Sequence, residues 1–170
     1  MPVMKYWVWF PLLLLPSGCG YKWIGWASPY RSIEIPRVEV PRKYHTMGVR
    51  LKDALSERCL VGSGLQPTDH DGDLTLTARL ADYRENIIAT DVDGRTQRIQ
   101  FSMTISFRLV DREQRLIWSL VNYEYSDQYN IATTQNEYRD EGVFIQDQAM
   151  RGIADLAITN INLAINELRK

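Results

Sequence analysis

The sequence predicts an α+β domain, a two-layer sandwich whose four-stranded, mostly antiparallel sheet is covered on one face by two helices. Three observations carry this. Residues 99–109 alternate apolar and polar side chains without a fault over eleven positions, which marks a strand buried on one face. Residues 47–60 and 143–168 place apolar residues at helical spacing. The signals run in the order strand, helix, three strands, helix, which assembles most simply into two packed layers.

The chain has 170 residues, 45% hydrophobic and 24% charged, with a formal net charge of -1. These values exclude disorder throughout, a collagen-like repeat and a polytopic membrane protein. A nucleic-acid binder held by charge would be basic, so none is expected as a partner. Residues 1–18 read as a signal peptide rather than part of the fold. Lys5 precedes the apolar run from Tyr6 to Leu15, which is too short to span a bilayer and is broken by Pro11. Small residues Ser17 and Gly18 stand directly before Cys19, in a pattern that resembles the bacterial lipobox, where the cysteine is lipidated and becomes the new N-terminus. Pro16 departs from that pattern, since leucine usually stands three residues before the cysteine and here Leu15 is one place earlier. Ordinary cleavage leaving a free thiol, or a short uncleaved anchor, are the other readings. Lipidation of Cys19 leaves Cys59 alone, with no internal disulfide partner. Gly20, rather than Asp, follows the cysteine, which by the usual bacterial sorting rule sends a lipoprotein to the outer membrane.

Residues 19–31 form a tail ahead of a single domain at 32–170. Its Trp23 and Trp26 either rest at a membrane interface or pack on the domain. Residues 32–40 predict a strand that Pro36 confines to an edge or a bulge. In the first helix, Met47, Leu51, Ala54, Leu55 and Cys59 form the buried face, Thr46 is the expected cap, and Arg50, Lys52, Asp53, Glu57 and Arg58 form a solvated face. Residues 61–72 read as a glycine-rich loop. Its Asp69-His70-Asp71 run is a turn rather than a metal site, and Gly62-Ser63-Gly64 lacks the surroundings of a nucleophile elbow.

Residues 73–83 predict the first long strand, with Leu74, Leu76, Ala78 and Leu80 inward. Asp93-Gly94 is a hairpin signal. A two-residue loop there pairs Leu80 with Phe107 but turns Asp82 and Arg84 onto the core face, so a bulge between Ala81 and Ile87, or a longer turn, is required. Residues 115–126 form the last strand, joined by a four-residue loop that sets Leu109 opposite Leu116 and Phe107 opposite Trp118. This register turns Val121, Tyr123 and Tyr125 to the outer face, which should be wet, and so suggests that the outside of the sheet meets a partner. Residues 127–142 read as polar loop. In the long helix, Met150, Ile153, Ala157, Ile161, Ala164 and Leu168 make the stripe, with Leu156 and Ile165 beside it.

Cys19-Gly20-Tyr21, the IEIPRVE segment from Ile33, the run Asp73–Leu80, Asp93-Gly94-Arg95 and the alternating strand up to Leu116-Ile117-Trp118 together resemble the LPS-assembly lipoprotein family (LptE-type). The resemblance covers nearly all of residues 19–168, by order and spacing rather than by one diagnostic motif. It implies the α+β fold, a lipid anchor on the periplasmic side of the outer membrane, and a plug inserted into the β-barrel LPS translocon, which it helps to assemble. It also implies lipopolysaccharide binding, with no catalytic residues, cofactor or metal. LPS phosphates need cations, and the guanidinium fork suits them. The candidates are Arg84, Arg95 and Arg98 around the Asp93-Gly94 tip and Arg139 in the 127–142 loop, chosen by loop position and charge. Tyr123 and Tyr125 are the candidate barrel contacts. The competing readings are a periplasmic adaptor for another envelope machine and a small hydrolase, which would need His45 or His70 beside an acid and a nucleophile.

Overall fold

The computed structural model describes residues 29–90, 92–131 and 141–168, the side chain of residue 141 excepted. The signal peptide, Cys19, Trp23, Trp26 and Arg139 lie outside the described residues. The elements are β1 (Ser32–Glu34), a 3-10 turn (Arg42–Tyr44), α1 (His45–Gly62), β2 (Gln66–Thr68), β3 (Leu74–Thr90), β4 (Thr96–Asp111), β5 (Leu116–Asn130) and α2 (Glu141–Glu167). They build the expected two layers.

The sheet has five strands in the order β2-β1-β3-β4-β5, one more than expected. The additional strand, β2, lies in the stretch read as loop. Three residues are too few for alternation to show, and Pro67 argues against a strand, yet Pro67 is tolerated because β2 is the edge. β1 is therefore internal, pairing in parallel with both β2 and β3. It stops at Glu34, ahead of Pro36, and the chain rejoins β3 at Glu39 opposite Arg79. β3, β4 and β5 are antiparallel.

The core lies between the sheet and the helices. Leu74, Leu76, Ala78 and Leu80 of β3 and Phe101, Met103, Ile105, Phe107 and Leu109 of β4 are all buried, as the alternation requires. They meet Leu51, Ala54, Leu55 and Cys59 of α1 and Met150, Ile153, Ala157 and Ile161 of α2. α1 starts two residues before Met47 and has no side-chain cap. Thr46 lies inside it, and Tyr44 at the cap position instead donates its hydroxyl to the Tyr83 carbonyl at 2.9 Å. Part of the face read as solvated joins the helices: Arg50 pairs with Asp147 at 3.1 Å and Arg58 with Asp155 at 2.5 Å. These contacts set α1 and α2 side by side and parallel. The buried stripe of α2 includes Ala154 and Ile158, and Leu168 is exposed.

The β3–β4 hairpin contains both devices that parity requires. The register shifts between Leu80 and Asp82, and the connection runs over five residues, 91–95. Leu80 opposes Ile105 rather than Phe107, and the bulge at Ala81 turns Tyr83 inward and Asp82 and Arg84 outward.

The β4–β5 register differs from expectation by two residues, setting Leu109 opposite Trp118 and Phe107 opposite Leu120. The turn closes through side chains: Asp111 accepts the Arg115 backbone N–H at 2.9 Å and its Nε at 2.6 Å, while Gln114 takes a φ of 61°. A second shift follows where Val121 and Asn122 together oppose Ser106. Asn122 adopts a φ of 53°, and its N–H donates to the Ser106 hydroxyl at 3.0 Å. That bulge turns Tyr123 and Tyr125 to the core side, opposite Ile105 and Met103. The expected apolar, aromatic outer face is thus corrected. The outer face carries Thr75, Thr77, Ser102, Thr104, Ser106, Ser119 and Ser126, with arginines among them.

Candidate functional site

The hairpin is longer than the helices that cover it. Its seventeen-residue first strand spans roughly 50 Å at a strand rise of about 3.3 Å per residue. α1 begins beside Tyr83, and α2 passes it in its second turn, having started against the Tyr129 ring. The Tyr44 ring meets the Tyr83 ring edge-on with centroids 5.1 Å apart, and the Gln146 side chain donates to the Tyr83 hydroxyl at 2.9 Å. That hydroxyl donates in turn to Glu85 Oε1 at 2.5 Å. Burial, then the hydrogen bond and charge of Glu85, push the Tyr83 phenol far up, so it stays a neutral donor and latches the helix starts to the sheet.

Past this latch the hairpin projects bare. Ile87 is 62% exposed, Ile88 45% and Val92 fully, and Ile131, whose N–H donates to the Gln97 carbonyl at 2.8 Å, is 38% exposed beside them. Three of the four candidate arginines share this end. Arg95 follows Gly94, which turns the chain at a φ of 77°. Arg98 lies on the outer face, its Nε donating to Asn130 Oδ1 at 3.0 Å. Arg84 is set back roughly 16 Å along the strand and is held by Asp82 at 2.7 Å. The end therefore combines apolar side chains with guanidinium groups, the surface that an amphiphile with anionic headgroups requires. The sequence places Arg95 and Arg98 near this turn but does not single out the isoleucines. Ile87 and Ile88 are adjacent and break the alternation, which was the available signal.

Tyr123 and Tyr125 do not join this end. They lie on the core side of β5, half-buried with Trp118, Leu120 and Tyr129, in a shelf beside α2. The Tyr125 ring stands 6.2 Å from Phe101, and its hydroxyl donates to Asp127 at 3.3 Å. Their exposed margins run along the open edge of the sheet.

The shallow groove between α1 and α2, about 230 Å³, is bridged by the Arg58–Asp155 pair. Asp69, His70 and Asp71 are exposed in the turn before β3, and among the described residues no three His, Cys, Asp or Glu side chains cluster as metal ligands do. Burial is the main reason the Cys59 thiol is pushed up to about 12, so it is a core residue rather than a nucleophile. Among the described residues no helix is long and apolar enough to cross a membrane.

Known proteins share this architecture. The fold matches a putative lipoprotein from Caulobacter crescentus at 16% identity, covering 79% of this chain and 90% of that one, with a TM-score of 0.54. It matches the rare lipoprotein B from Shewanella oneidensis at 12% identity, covering 80% and 99%, with a TM-score of 0.55. An uncharacterized lipoprotein B from Nitrosomonas europaea matches at 15% identity, covering 87% and 96%, with a TM-score of 0.57. Comparison with curated proteins finds no match. The sequence profile of one family, LptE, described as lipopolysaccharide-assembly, matches residues 30–164.

Proposed function

This chain belongs to the LptE lipopolysaccharide-assembly family, and from that premise we propose that it is an outer-membrane lipoprotein, anchored on the periplasmic side through acylated Cys19. In this reading it plugs and helps assemble the β-barrel LPS translocon. It also binds lipopolysaccharide in transit to the outer leaflet, and it catalyses no reaction. The observation that carries the ligand part is the hairpin end, where Ile87, Ile88 and Val92 offer apolar surface beside Arg95 and Arg98. Lipopolysaccharide has both matching parts, acyl chains and phosphates.

The place of the anchor supports a polarity. The described chain starts at the other end of the sheet, where the Arg31 N–H donates to Asp73 at 2.7 Å and Arg112 pairs with Asp73 at 3.0 Å. From Cys19 to Pro29 the chain reaches at most about 35 Å. The described chain thus enters the domain at the end opposite the hairpin tip. Two or more acyl chains, at about 0.8 kcal/mol per buried methylene, suffice for stable anchoring.

A mild-detergent pull-down of the tagged mature protein from outer membranes, with mass analysis of chain and partners, tests the reading. A stoichiometric large barrel and an acylated Cys19 are expected, together with LPS whose recovery falls in an Arg95→Ser/Arg98→Ser variant. Recovery of cell-wall or secretion components without the barrel would establish the adaptor reading instead.

A further inference from the structure

The two-layer architecture leaves one face of the sheet without a covering layer among the described residues, and the middle of that face carries two guanidinium groups side by side. Arg79 of β3 stands opposite Ser106, and Arg108 of β4 stands opposite Thr77. They are diagonal neighbours, so their strand positions lie roughly 7 Å apart. Both are exposed, and neither forms an ion pair or side-chain hydrogen bond among the described residues. Four acids share the face, Glu34 standing opposite Thr75. Asp82 is engaged by Arg84 at 2.7 Å, Glu124 stands beyond it opposite Thr104, and Glu39 adjoins Arg79 without pairing. Two like charges held this close, neither of them in an ion pair among the described residues, leave room for an anion between them.

The surroundings narrow the class of anion. Thr77, Ser106 and Ser119 stand directly opposite or beside the two arginines, and Thr75 and Thr104 extend the hydroxyl rows. Hydroxyls both donate and accept, which matches the hydroxyls of a sugar. A guanidinium fork matches two oxygens of a phosphate. The strand segments beneath are fixed by Ala78, Leu80, Phe107 and Leu109, each at most 2% exposed, so the constellation is pre-organised and little entropy is lost when it binds.

We propose that Arg79 and Arg108 form an anion site on the bare sheet face that takes the phosphate of a phosphorylated saccharide, with the neighbouring hydroxyls on its sugar ring. That lipopolysaccharide is the natural source rests on the function proposed above; the site itself rests on the face. It is separate from the hairpin tip and lies midway along the sheet, so it would hold the polar part of a ligand whose acyl chains sit elsewhere.

The test uses the mature full chain in detergent with purified rough-type lipopolysaccharide, intact and enzymatically dephosphorylated, by titration calorimetry. Inorganic phosphate followed by backbone NMR serves as a second probe. Arg79→Ser/Arg108→Ser should weaken binding of the intact form by about tenfold or more, since two charge-assisted contacts are lost. It should leave binding of the dephosphorylated form unchanged. Phosphate should shift amides around residues 77–79 and 106–108 in the parent and not in the variant. If the parent ignores lipopolysaccharide, the function above fails, and the phosphate titration alone decides the site. Equal lipopolysaccharide affinity in parent and variant, or no arginine-dependent phosphate shift, overturns the site. So does a variant that loses the barrel partner while keeping its lipopolysaccharide affinity, because the face would then be a protein contact.

Discussion

Deleting Asn122 should turn half of β5 inside out. Asn122 and Val121 together occupy the space opposite Ser106, and the positive φ of Asn122 makes that fit. With Asn122 gone, a side-chain period of two forces the residues on one side of the bulge onto the other face. If the C-terminal half turns, Tyr123, Tyr125 and Tyr129 leave the core side. Each is half-buried, so each loses about 100 Å² of contact. At about 25 cal/mol/Å², reduced for a compact unfolded chain, the three cost about 5 kcal/mol. If the N-terminal half turns, Trp118 and Leu120 leave instead, at about 3 kcal/mol on the same reckoning. The cheaper route sets the expectation: a loss of about 3 kcal/mol and a melting temperature roughly 10 °C lower. Thermal and urea denaturation of the mature chain measure it, and hydrogen exchange along β5 tells which half turned. A deletion variant melting within about 1 °C of the parent would show that the bulge does not hold the register. Replacement Asn122→Val should cost about 1–2 kcal/mol through backbone strain alone, with the register intact.

Four further outcomes are expected. In a Cys19→Ser chain the single thiol, Cys59, should react with iodoacetamide at pH 8 about a thousandfold more slowly than an ordinary thiol, since burial pushes it up to about 12; rapid labelling without unfolding would contradict its burial. Burial alone would raise the Asp111 carboxyl, but hydrogen bonds from Arg115 and from the Glu113 N–H, with the Arg115 charge, outweigh it and hold the group below the ordinary 3.8. Asp73 is held down first by the Arg31 N–H. A depressed carboxyl stabilises fully above its unfolded value and loses that contribution as pH falls below 3.8 toward the folded value, so Asp111→Asn should flatten the acid limb of a stability–pH curve and lower stability throughout the range above 3.8. Gly72→Ala would set a Cβ 2.5 Å from the Glu34 N and 2.7 Å from the Leu74 O. Neither backbone group can yield within the sheet, so calorimetry should register a loss of about 1–3 kcal/mol. Gly152→Ala, open on the surface of α2, should instead gain about 0.5–1 kcal/mol.

The candidate site was half legible. Arg95 and Arg98 were placed at the hairpin end from the sequence, because a turn signal and a cation are local facts. Arg79 and Arg108 were not brought together from it, because nothing in the chain shows that residues twenty-nine apart become diagonal neighbours. The aromatic side of β5 was misassigned for the same kind of reason. Alternation says which side chains share a face only while the strand is regular, and Asn122 interrupts it.

By itself the sequence determined the element types, the two-layer class, the buried faces of β3, β4 and α1, and the need for a bulge before the hairpin tip. All of these follow from periods of two and 3.6 and from parity, which neighbouring residues decide among themselves. The tertiary structure alone decided the fifth strand, the β4–β5 register, the rotation of α2 and which face of the sheet is bare. Each of these depends on a partner distant in the chain. β2 exists because β1 offers it an edge, α2 is turned so that Ala154, Ile158 and Ile161 enter the shared core, and the Asn122 bulge is held by the Ser106 hydroxyl of the strand beside it.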